Sequence, residues 1–540
     1  MKYGKYLVLF TLVVANLIDE PAPQVTIDQG VLTGKLSRNG MFFEYIGIPY
    51  ASTNSSVRFK APGPPPKWEG VYKAVDEIYF CPQHTILGVV GLEDCLKVNV
   101  YVPTMAKPPF AVMVYVHGGT FILGGGGKLV YGPDFLIEKD VIVVTFNYRI
   151  GALGFLCLGI KEAPGNAGLK DQIAALRWVK NNIAAFGGDP DNVTIFGESA
   201  GATSVSLLLA SEMSKGLYNR AIVQSGPSLS NWVINKNPVK IAHLLAKTLG
   251  YNGDNRYDLY KFFSKLSLSE LVGANIRKHS IKYLDTQLIH LPCVEETIEG
   301  EEAVLPDLPY NLFANKTSSV PVIYGTTSKE GLFLISEYCD ESIEERNQRY
   351  WSASDLHFET KDEMAIESRK VQEFHFGNEE MNEKNILTLS EMYTHLYFEM
   401  PTLFEANLLI KNANASVYNY YFDYSGGRNF MKMWSGYGSE SGASHGDDLF
   451  YIFKSHFAPQ ACLPRDQRMI DTLTTLWTNF AKFGNPTPDP KQFGVEWIPS
   501  TKNKMNFLYI NDVLKMGPMP NPEPYKLWKT LYDKYRKRWI

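Results

Sequence analysis

The chain has 540 residues, of which 45% are hydrophobic and 20% are charged, and its formal net charge is −4. This composition is that of an ordinary globular protein, and the length allows a large buried core. The small negative charge excludes a general attraction to nucleic acid or to anionic membranes, so neither is expected as a partner.

The N-terminus has the features of an export signal. Two lysines in the first five residues precede a short apolar segment, and small residues suited to cleavage follow at Val13 and Ala15. A signal anchor is the competing interpretation, but the segment is too short to span a bilayer as a helix, and no later stretch is long enough. The sequence therefore predicts a signal peptide over residues 1–15 and a secreted mature chain without a membrane span.

Three sequons fit an exported chain. They predict glycans at Asn54, Asn315 and Asn414. A fourth sequon, at Asn192, adjoins a predicted strand, so we expect it to be hard to reach and to stay unmodified.

Six cysteines are present, and two of them lie close together. Cys81 and Cys95 bracket a loop-like stretch, and a disulfide closing it would stabilise the fold by about 3 kcal/mol. Cys157 lies in an apolar segment and is interpreted as a buried thiol acting as a small hydrophobe, and Cys293 looks similar. Nothing in the sequence pairs the remaining four cysteines. No Cys or His pair has ligand spacing, so we expect no metal site. No cofactor is expected either.

Strand and helix patterns alternate along the chain. A hairpin is indicated over residues 24–36 and a helix over about 169–185. Strands are predicted over residues 98–102, 111–116, 141–146, 193–196, 221–225 and 320–324. Several are almost continuously apolar, as expected when helices cover both faces of a mostly parallel sheet. The pattern predicts an α/β fold in which residues 16–540 form one domain. Mostly helical insertions over 225–320 and 330–445 are expected to form walls around a site.

A short motif, Gly197-Glu-Ser-Ala-Gly201, stands where a predicted strand meets a predicted helix. A glycine–serine pattern of this length also occurs in ordinary turns. At a strand-to-helix junction, however, it is typical of a nucleophile elbow, in which a tight turn exposes the serine hydroxyl above the sheet. The helix N-terminus adds positive potential there. Ser199 is therefore the candidate nucleophile.

A serine hydroxyl needs a base to remove its proton, and the base needs an acid to fix its tautomer. Glu330 follows a predicted buried strand through a glycine turn, and it is the candidate acid. His445 lies among small residues on a predicted loop, and it is the candidate base. The alternatives are a solvated glutamate at a helix start and a histidine that only makes structural hydrogen bonds.

A glycine-rich stretch follows the strand over residues 111–116. Its motif His117-Gly-Gly119 and a second run over residues 124–127 allow backbone N–H groups to point at a developing negative charge. The Ala200 N–H, directly after the candidate nucleophile, would add another donor. A phosphate-binding loop is the alternative, but Leu129 stands after Lys128 where that loop needs Ser or Thr.

Together these motifs closely resemble the type-B carboxylesterases of the α/β-hydrolase fold, and among them the insect carboxylesterases. The likeness covers nearly all of the mature chain. The matching stretches are Gly47-Ile-Pro-Tyr-Ala51, Glu93-Asp-Cys-Leu96, His117-Gly-Gly119, Asn147-Tyr-Arg149, Phe186-Gly-Gly-Asp-Pro190, Gly197-Glu-Ser-Ala-Gly201, Glu330-Gly331 and His445-Gly-Asp-Asp448.

The resemblance implies a role for each candidate residue. Ser199 would be the nucleophile, Glu330 the acid and His445 the base. The oxyanion donors that it implies are the N–H groups of Gly119, Thr120 and Ala200. It also implies a Cys81–Cys95 disulfide. The pocket residues assigned with it are Phe121, Glu198, Trp232, Phe333 and Leu334, with Trp232 on the acyl side and Glu198 setting the electric field beside the nucleophile.

The function expected from this resemblance is hydrolysis of uncharged, largely apolar carboxylic esters, in detoxification or in the clearance of odorant or pheromone esters. The expected partner is a small-molecule ester, and the oligomeric state is left open. Three alternatives are kept. They are hormone turnover of the juvenile hormone esterase kind, a lipase working at interfaces, and a non-catalytic adhesion or binding relative of the fold.

Overall fold

The computed structural model describes residues 21–536 apart from several short gaps. The gaps are 55–57, 78–79, 86, 254, 274–287, 316–319, 337–342, 344–346, 348–355, 413 and 457–461. The predicted signal peptide, with the rest of residues 1–20, lies outside the described residues.

The strands are numbered in chain order. They are β1 (Val25–Ile27), β2 (Gly30–Thr33), β3 (Lys35–Leu36), β4 (Phe42–Pro49), β5 (Val71–Lys73), β6 (Gln83–Thr85), β7 (Gly88–Val90), β8 (Lys97–Pro103), β9 (Phe110–Val116), β10 (Val141–Phe146), β11 (Gly188–Glu198), β12 (Arg220–Gln224), β13 (Val322–Thr327), β14 (Val417–Phe422), β15 (Phe507–Ile510) and β16 (Lys515–Gly517).

The α-helices are numbered in the same way. They are α1 (Asp134–Ile137), α2 (Gly151–Phe155), α3 (Ala167–Asn182), α4 (Ala200–Ala210), α5 (Pro238–Thr248), α6 (Arg256–Lys265), α7 (Leu268–Gly273), α8 (Pro309–Asn315), α9 (Lys361–Phe376), α10 (Ile386–Tyr393), α11 (Met400–Asn412), α12 (Phe430–Trp434), α13 (Pro464–Phe483) and α14 (Pro522–Tyr535). A π-helix over Thr394–Glu399 joins α10 to α11, and 3₁₀ turns include Glu330–Ile335 and Asp447–Tyr451.

Most strands form one large sheet. Its order is β16-β15-β14-β13-β12-β11-β9-β10-β8-β4-β3. The seven neighbouring strands from β15 to β10 pair in parallel. The remaining strands of this sheet pair antiparallel at its two edges. The predicted hairpin over residues 24–36 contains β1 and β2, which pair with β5 in a separate small sheet.

Both faces of the large sheet are covered. Along β9, Val112 and Val114 point to one face and pack in the cluster that contains residues of α3 and α4. Met113 and Tyr115 point to the other face and pack with residues of α13. Because side chains alternate along a strand, a continuous apolar run such as β9 suits a sheet buried on both sides.

The predicted strands and the helix over 169–185 are all present, but one expectation about the insertions was wrong. The segment 330–445 was interpreted as an insertion, yet it contains β14, which pairs with β13 and β15 in the middle of the parallel region. Its sequence, Val417-Tyr-Asn-Tyr-Tyr-Phe422, is aromatic and suits a strand, although it lacks the aliphatic run of the other central strands.

A second correction concerns the cysteines. Cys157 and Cys293 are joined by a disulfide with an S–S distance of 2.12 Å, and they are not two separate thiols. They lie 136 residues apart, and the fold brings them together because Asn166 exchanges hydrogen bonds with the backbone of Cys293 in both directions. The Cys81–Cys95 disulfide is present with an S–S distance of 2.06 Å. Cys462 is exposed and unpaired, and Cys339 lies outside the described residues.

The three predicted glycan sites are exposed. Asn54, Asn315 and Asn414 all lie at the surface, whereas Asn192 is half-buried. Among the helices that the structure describes, none combines the length and the apolar character needed to cross a bilayer.

Candidate active site

The strand register brings several candidate residues to one edge of the large sheet. Gly197 of β11 lies beside Val116 of β9, Glu198 lies beside Gln224 of β12, and Gln224 lies beside Gly325 of β13. These strands are parallel, so the segments that follow them all leave the sheet at the same edge. Binding sites of open α/β sheets form at this carboxyl edge.

Ser199 occupies a sharp turn between β11 and α4. Its backbone has φ 57° and ψ −129°, a conformation that non-glycine residues rarely adopt. A Cβ atom on Gly197 would lie 2.5 Å from the carbonyl carbon of Gly201, and one on Gly201 would lie 2.1 Å from the Val116 oxygen. The turn can therefore approach β9 this closely only with glycine on both sides of the serine.

Glu330 is fully buried at the start of the 3₁₀ turn that follows β13. Its Oε1 accepts hydrogen bonds from Ser225 Oγ at 2.5 Å and from the Thr327 N–H at 2.8 Å. Its Oε2 lies 2.6 Å from Nδ1 of His445. The carboxylate is thus fixed by two donors on one oxygen while the other oxygen holds the imidazole.

His445 lies on the loop between α12 and the next 3₁₀ turn, and it is 7% exposed. This loop is joined to the turn before Glu330, because Lys329 N–H donates to the Ala443 oxygen at 2.8 Å and Ala443 N–H donates to Ser328 Oγ at 3.1 Å. The two chain segments that carry the acid and the base therefore support each other directly.

The second imidazole nitrogen of His445 faces the residue next to Ser199. Nε2 lies 3.2 Å from Glu198 Oε1. The hydrogen bonds of the described residues include none from Ser199 Oγ to this nitrogen. Glu330 therefore contacts His445 directly. Ser199 is the next residue along the chain after Glu198, which contacts the other side of the imidazole.

The electrostatic environment of the imidazole is strongly acidic. Burial by itself lowers the pKa of His445, but the carboxylates of Glu198, Glu330 and Asp448 outweigh burial and raise that pKa above its ordinary value. For Glu198, burial raises the pKa of the carboxyl group and the neighbouring imidazole lowers it. Burial has the larger effect, so the pKa of Glu198 is raised above its ordinary value. The site therefore favours a proton on the pair formed by His445 and Glu198.

The glycine-rich loop after β9 packs against the serine turn. A Cβ atom on Gly118 would lie 2.7 Å from the Glu198 oxygen and 3.2 Å from the Ser199 Cβ. Among the described residues no hydrogen bond engages the N–H groups of Gly119 and Thr120, the latter half-buried with φ 52°. Ala200 is the first residue of α4, where backbone N–H groups have no intrahelical partner.

Aromatic side chains surround the imidazole. The Phe333 and Phe398 rings lie 5.9 and 4.6 Å from the His445 ring, measured between centroids. Beyond them, Trp232 lies 6.2 Å from Phe398 and Trp434 lies 6.3 Å from Phe333. The aromatic row runs from Trp232, which is 9% exposed, to Trp434, which is 44% exposed.

Two further predicted pocket residues, Phe121 and Leu334, are apolar. Leu334 is half-buried and packs against the apolar core. Phe121 is fully buried, with its ring 4.9 Å from Phe155.

Three residues at this site, Ser225, Phe398 and Trp434, were not predicted from the sequence. Ser225 ends a predicted strand beside β11, so its position could have been inferred from the strand order. Phe398 lies in the π-helix and Trp434 in a short helix, and neither segment carries a motif. Irregular π-helical turns often occur at functional sites, but nothing in the sequence marks this one.

Comparisons with known proteins identify the family of this chain. A model of the carboxylesterase family matches residues 21–528. Esterase FE4 of Myzus persicae is 32% identical over 517 residues, covering 89% of this chain and 87% of that protein. Bile salt-activated lipase of Mus musculus is 33% identical over 517 residues, covering 91% of this chain and 82% of the lipase.

A solved structure shows the same fold. Juvenile hormone esterase from Manduca sexta, with OTFP covalently attached, superposes with a TM-score of 0.84 at 27% identity, covering 95% of this chain and all of that one (100%). The family and the fold expected from the sequence are confirmed. The chain belongs to the carboxylesterase family and is a carboxylic ester hydrolase with the α/β-hydrolase fold.

Proposed function

We propose that Ser199, Glu330 and His445 form the catalytic triad of this hydrolase. One observation carries the proposal: the His445 imidazole lies 2.6 Å from the buried Glu330 carboxylate on one side and 3.2 Å from Glu198, the residue before Ser199 in its strained turn, on the other. A carboxylate in this position fixes the tautomer that leaves Nε2 able to accept a proton.

In this mechanism His445 removes the Ser199 proton while the serine oxygen attacks the ester carbonyl. The N–H groups of Gly119, Thr120 and Ala200 stabilise the negative charge on the carbonyl oxygen, and each such donor can lower the barrier by about 3 kcal/mol. His445 then protonates the leaving alcohol, and water repeats the sequence on the acyl-enzyme. Contacts between nucleophile and base often tighten only when substrate binds, so an Nε2 that faces Glu198 is compatible with this mechanism.

We also propose that the substrates are uncharged and largely apolar. The support is the aromatic row beside His445, from Trp232 to the more exposed Trp434. The acidic groups nearest the imidazole are engaged with it or with other side chains, as shown by Glu198, Glu330 and Asp448. Matched esters with a neutral and with a quaternary-ammonium alcohol would test this point, and faster turnover of the cationic ester would contradict it.

The test of the triad is turnover of a naphthyl ester by purified protein and by Ser199→Ala. We expect kcat to fall by a factor of about 10⁴ or more, because the attacking atom is gone. Ser439→Ala is the control, since Ser439 is exposed on the loop before His445 and should not change the rate. Equal rates for the wild type and Ser199→Ala would remove Ser199 from the mechanism.

The remaining proposals concern the localisation and the physiological role of the protein. Two disulfides and three exposed sequon asparagines support a secreted, glycosylated chain. We propose a role in detoxification or in the clearance of odorant or pheromone esters, with residues 16–540 as one catalytic domain. A panel of esters that varies acyl and alcohol length, read together with the tissue of expression, would distinguish these roles from hormone turnover.

A further inference from the structure

The segment over residues 117–127, here called the oxyanion loop, carries two of the proposed oxyanion donors. Its outer side faces solvent, since Ile122 and Leu123 are 37% and 40% exposed. The positions of the Gly119 and Thr120 N–H groups therefore depend on what holds the loop from inside. Backbone donors stabilise a transition state only when they are fixed in advance at the right distance.

One side chain binds the oxyanion loop at Gly124. Gln83, which is 5% exposed, donates from Nε2 to the Gly124 oxygen at 2.8 Å and accepts from the Gly124 N–H at 2.9 Å. Both backbone polar groups of Gly124 are thus bound by a single amide. Among the described residues no other hydrogen bond engages them.

Gly124 in turn lies against the part of the loop that touches the serine turn. A Cβ atom on Gly124 would lie 2.5 Å from His117 Nδ1 and 2.7 Å from the Gly118 oxygen. Gly118 itself packs on Ser199. A displacement of Gly124 would therefore move the segment next to the donors.

Gln83 is itself held by the first disulfide. It lies in β6, two residues after Cys81, and its Nε2 also donates to the Cys81 oxygen at 3.1 Å. At the other end of the bridge, the Cys95 oxygen accepts from Asn147, whose Oδ1 accepts from the Gly126 N–H at 2.8 Å. Both cysteines thus contact residues that hold the oxyanion loop.

We propose that Gln83 is a positioning residue for the oxyanion donors and that the Cys81–Cys95 disulfide acts on catalysis through it. This inference rests on the proposed function of Ser199 and of the loop N–H groups. Gln83 makes no contact with the reacting atoms. Its effect should therefore fall on the stabilisation of the transition state, which is measured by kcat, and much less on substrate binding.

The test compares Gln83→Leu with His84→Leu, which changes the exposed neighbour on the same strand. Active sites are first counted by stoichiometric reaction with an organophosphate, and kcat is expressed per reactive site. For Gln83→Leu we expect kcat to fall about tenfold to a hundredfold while KM changes less than about threefold. Affinity for a trifluoromethyl ketone, which forms a tetrahedral adduct with serine, should fall by a similar factor. His84→Leu should match the wild type.

A wild-type kcat per reactive site in Gln83→Leu would overturn the proposal, even if less of the protein folds. If Gln83→Leu does not fold, Gln83→Glu decides the matter. As a carboxylate it has about the same size and can still accept from the Gly124 N–H, but in that ionised form it cannot donate to the Gly124 or Cys81 oxygens. An intermediate loss of kcat is expected, and a wild-type value would contradict the proposal.

The role of the disulfide is tested by combining Gln83→Leu with Cys81→Ala/Cys95→Ala. If the bridge acts through Gln83, the loss of kcat in the combined variant should be smaller than the product of the separate losses. Independent, multiplicative losses would overturn the link. Failure of the wild type to react with the organophosphate would instead contradict the proposed function. This outcome is distinct from one in which the wild type reacts and only the Gln83 variants behave unexpectedly.

Discussion

At the scale of single residues, His445 is the centre of a group of buried charges. Glu330 contacts its Nδ1, Glu198 contacts its Nε2, and Asp448 lies close enough to add to their field. These carboxylates stabilise the imidazolium form, and they outweigh the effect of burial on the pKa. In the proposed mechanism, these carboxylates would stabilise the imidazolium that forms when His445 takes the proton of Ser199.

Glu198→Gln tests the contribution of one of these charges. As the proposed base, His445 would accept a proton only when it is neutral, so activity should rise as pH increases through its pKa. The Glu198 carboxylate raises that pKa, and its removal should lower it. We therefore expect the acidic limb of the kcat/KM profile to move to lower pH by about one unit.

The control is Glu296→Gln, which removes one negative charge at the surface, where Glu296 pairs with Arg256. Its pH profile should coincide with that of the wild type. An unchanged acidic limb in Glu198→Gln would show that this carboxylate does not act on the titration of His445.

At the scale of elements, the position of the base depends on α12. The Lys432 side chain is 1% exposed and donates to Ser425 Oγ and to the oxygens of Glu440 and Gly442, at 2.6, 2.6 and 2.7 Å. Asp447 ties the same helix to the loop, since its carboxylate accepts from the N–H groups at the start of α12 and before His445. A short helix and a buried cation thus fix a loop that has no regular structure of its own.

Lys432→Met should disturb this arrangement. It removes the shared donor to Ser425 Oγ and to the Glu440 and Gly442 oxygens, and we expect the free energy of unfolding to fall by about 3 kcal/mol. The looser loop should also lower kcat about tenfold, because the imidazole is no longer held in place. Urea unfolding and ester turnover measure the two effects.

Met433→Ala is the matched control, because Met433 is 45% exposed on the same helix. It should change the free energy of unfolding by less than about 0.5 kcal/mol. If Lys432→Met were as active and as stable as this control, the buried lysine would have no role in positioning His445.

At the scale of the whole molecule, we expect the two disulfides to differ in their effects on stability and on catalysis. The Cys157–Cys293 bridge links cysteines 136 residues apart, whereas the Cys81–Cys95 bridge spans 14. The longer bridge closes the larger loop and so restricts the unfolded chain more. It should therefore matter more for global stability than for catalysis.

The comparison of Cys157→Ala/Cys293→Ala with Cys81→Ala/Cys95→Ala tests this division. In the chain-entropy model the longer bridge contributes about 5 kcal/mol and the shorter about 3 kcal/mol. We expect the first variant to have the lower free energy of unfolding by urea, and the second to have the lower kcat per reactive site. The reverse order in either measurement would contradict this assignment.

The sequence alone determined the features that depend on neighbours along the chain. The apolar runs of β9 and β10 require burial on both faces, and glycines on both sides of Ser199 permit the sharp turn, so these elements could be predicted. Glu330 and His445 could be proposed because each follows a local pattern of small residues, and the resemblance of the motifs indicated the family.

Only the tertiary structure decided which distant groups meet. Cys157 and Cys293 were interpreted as separate thiols because nothing between them encodes their approach, which depends on the packing of residues far apart in the chain. The aromatic strand β14 was assigned to an insertion for a similar reason, since its place is defined by pairing with β13 and β15. Phe398 and Gln83 carry no local signal, because their positions follow from a helix irregularity and from a hairpin docked on a loop 41 residues later.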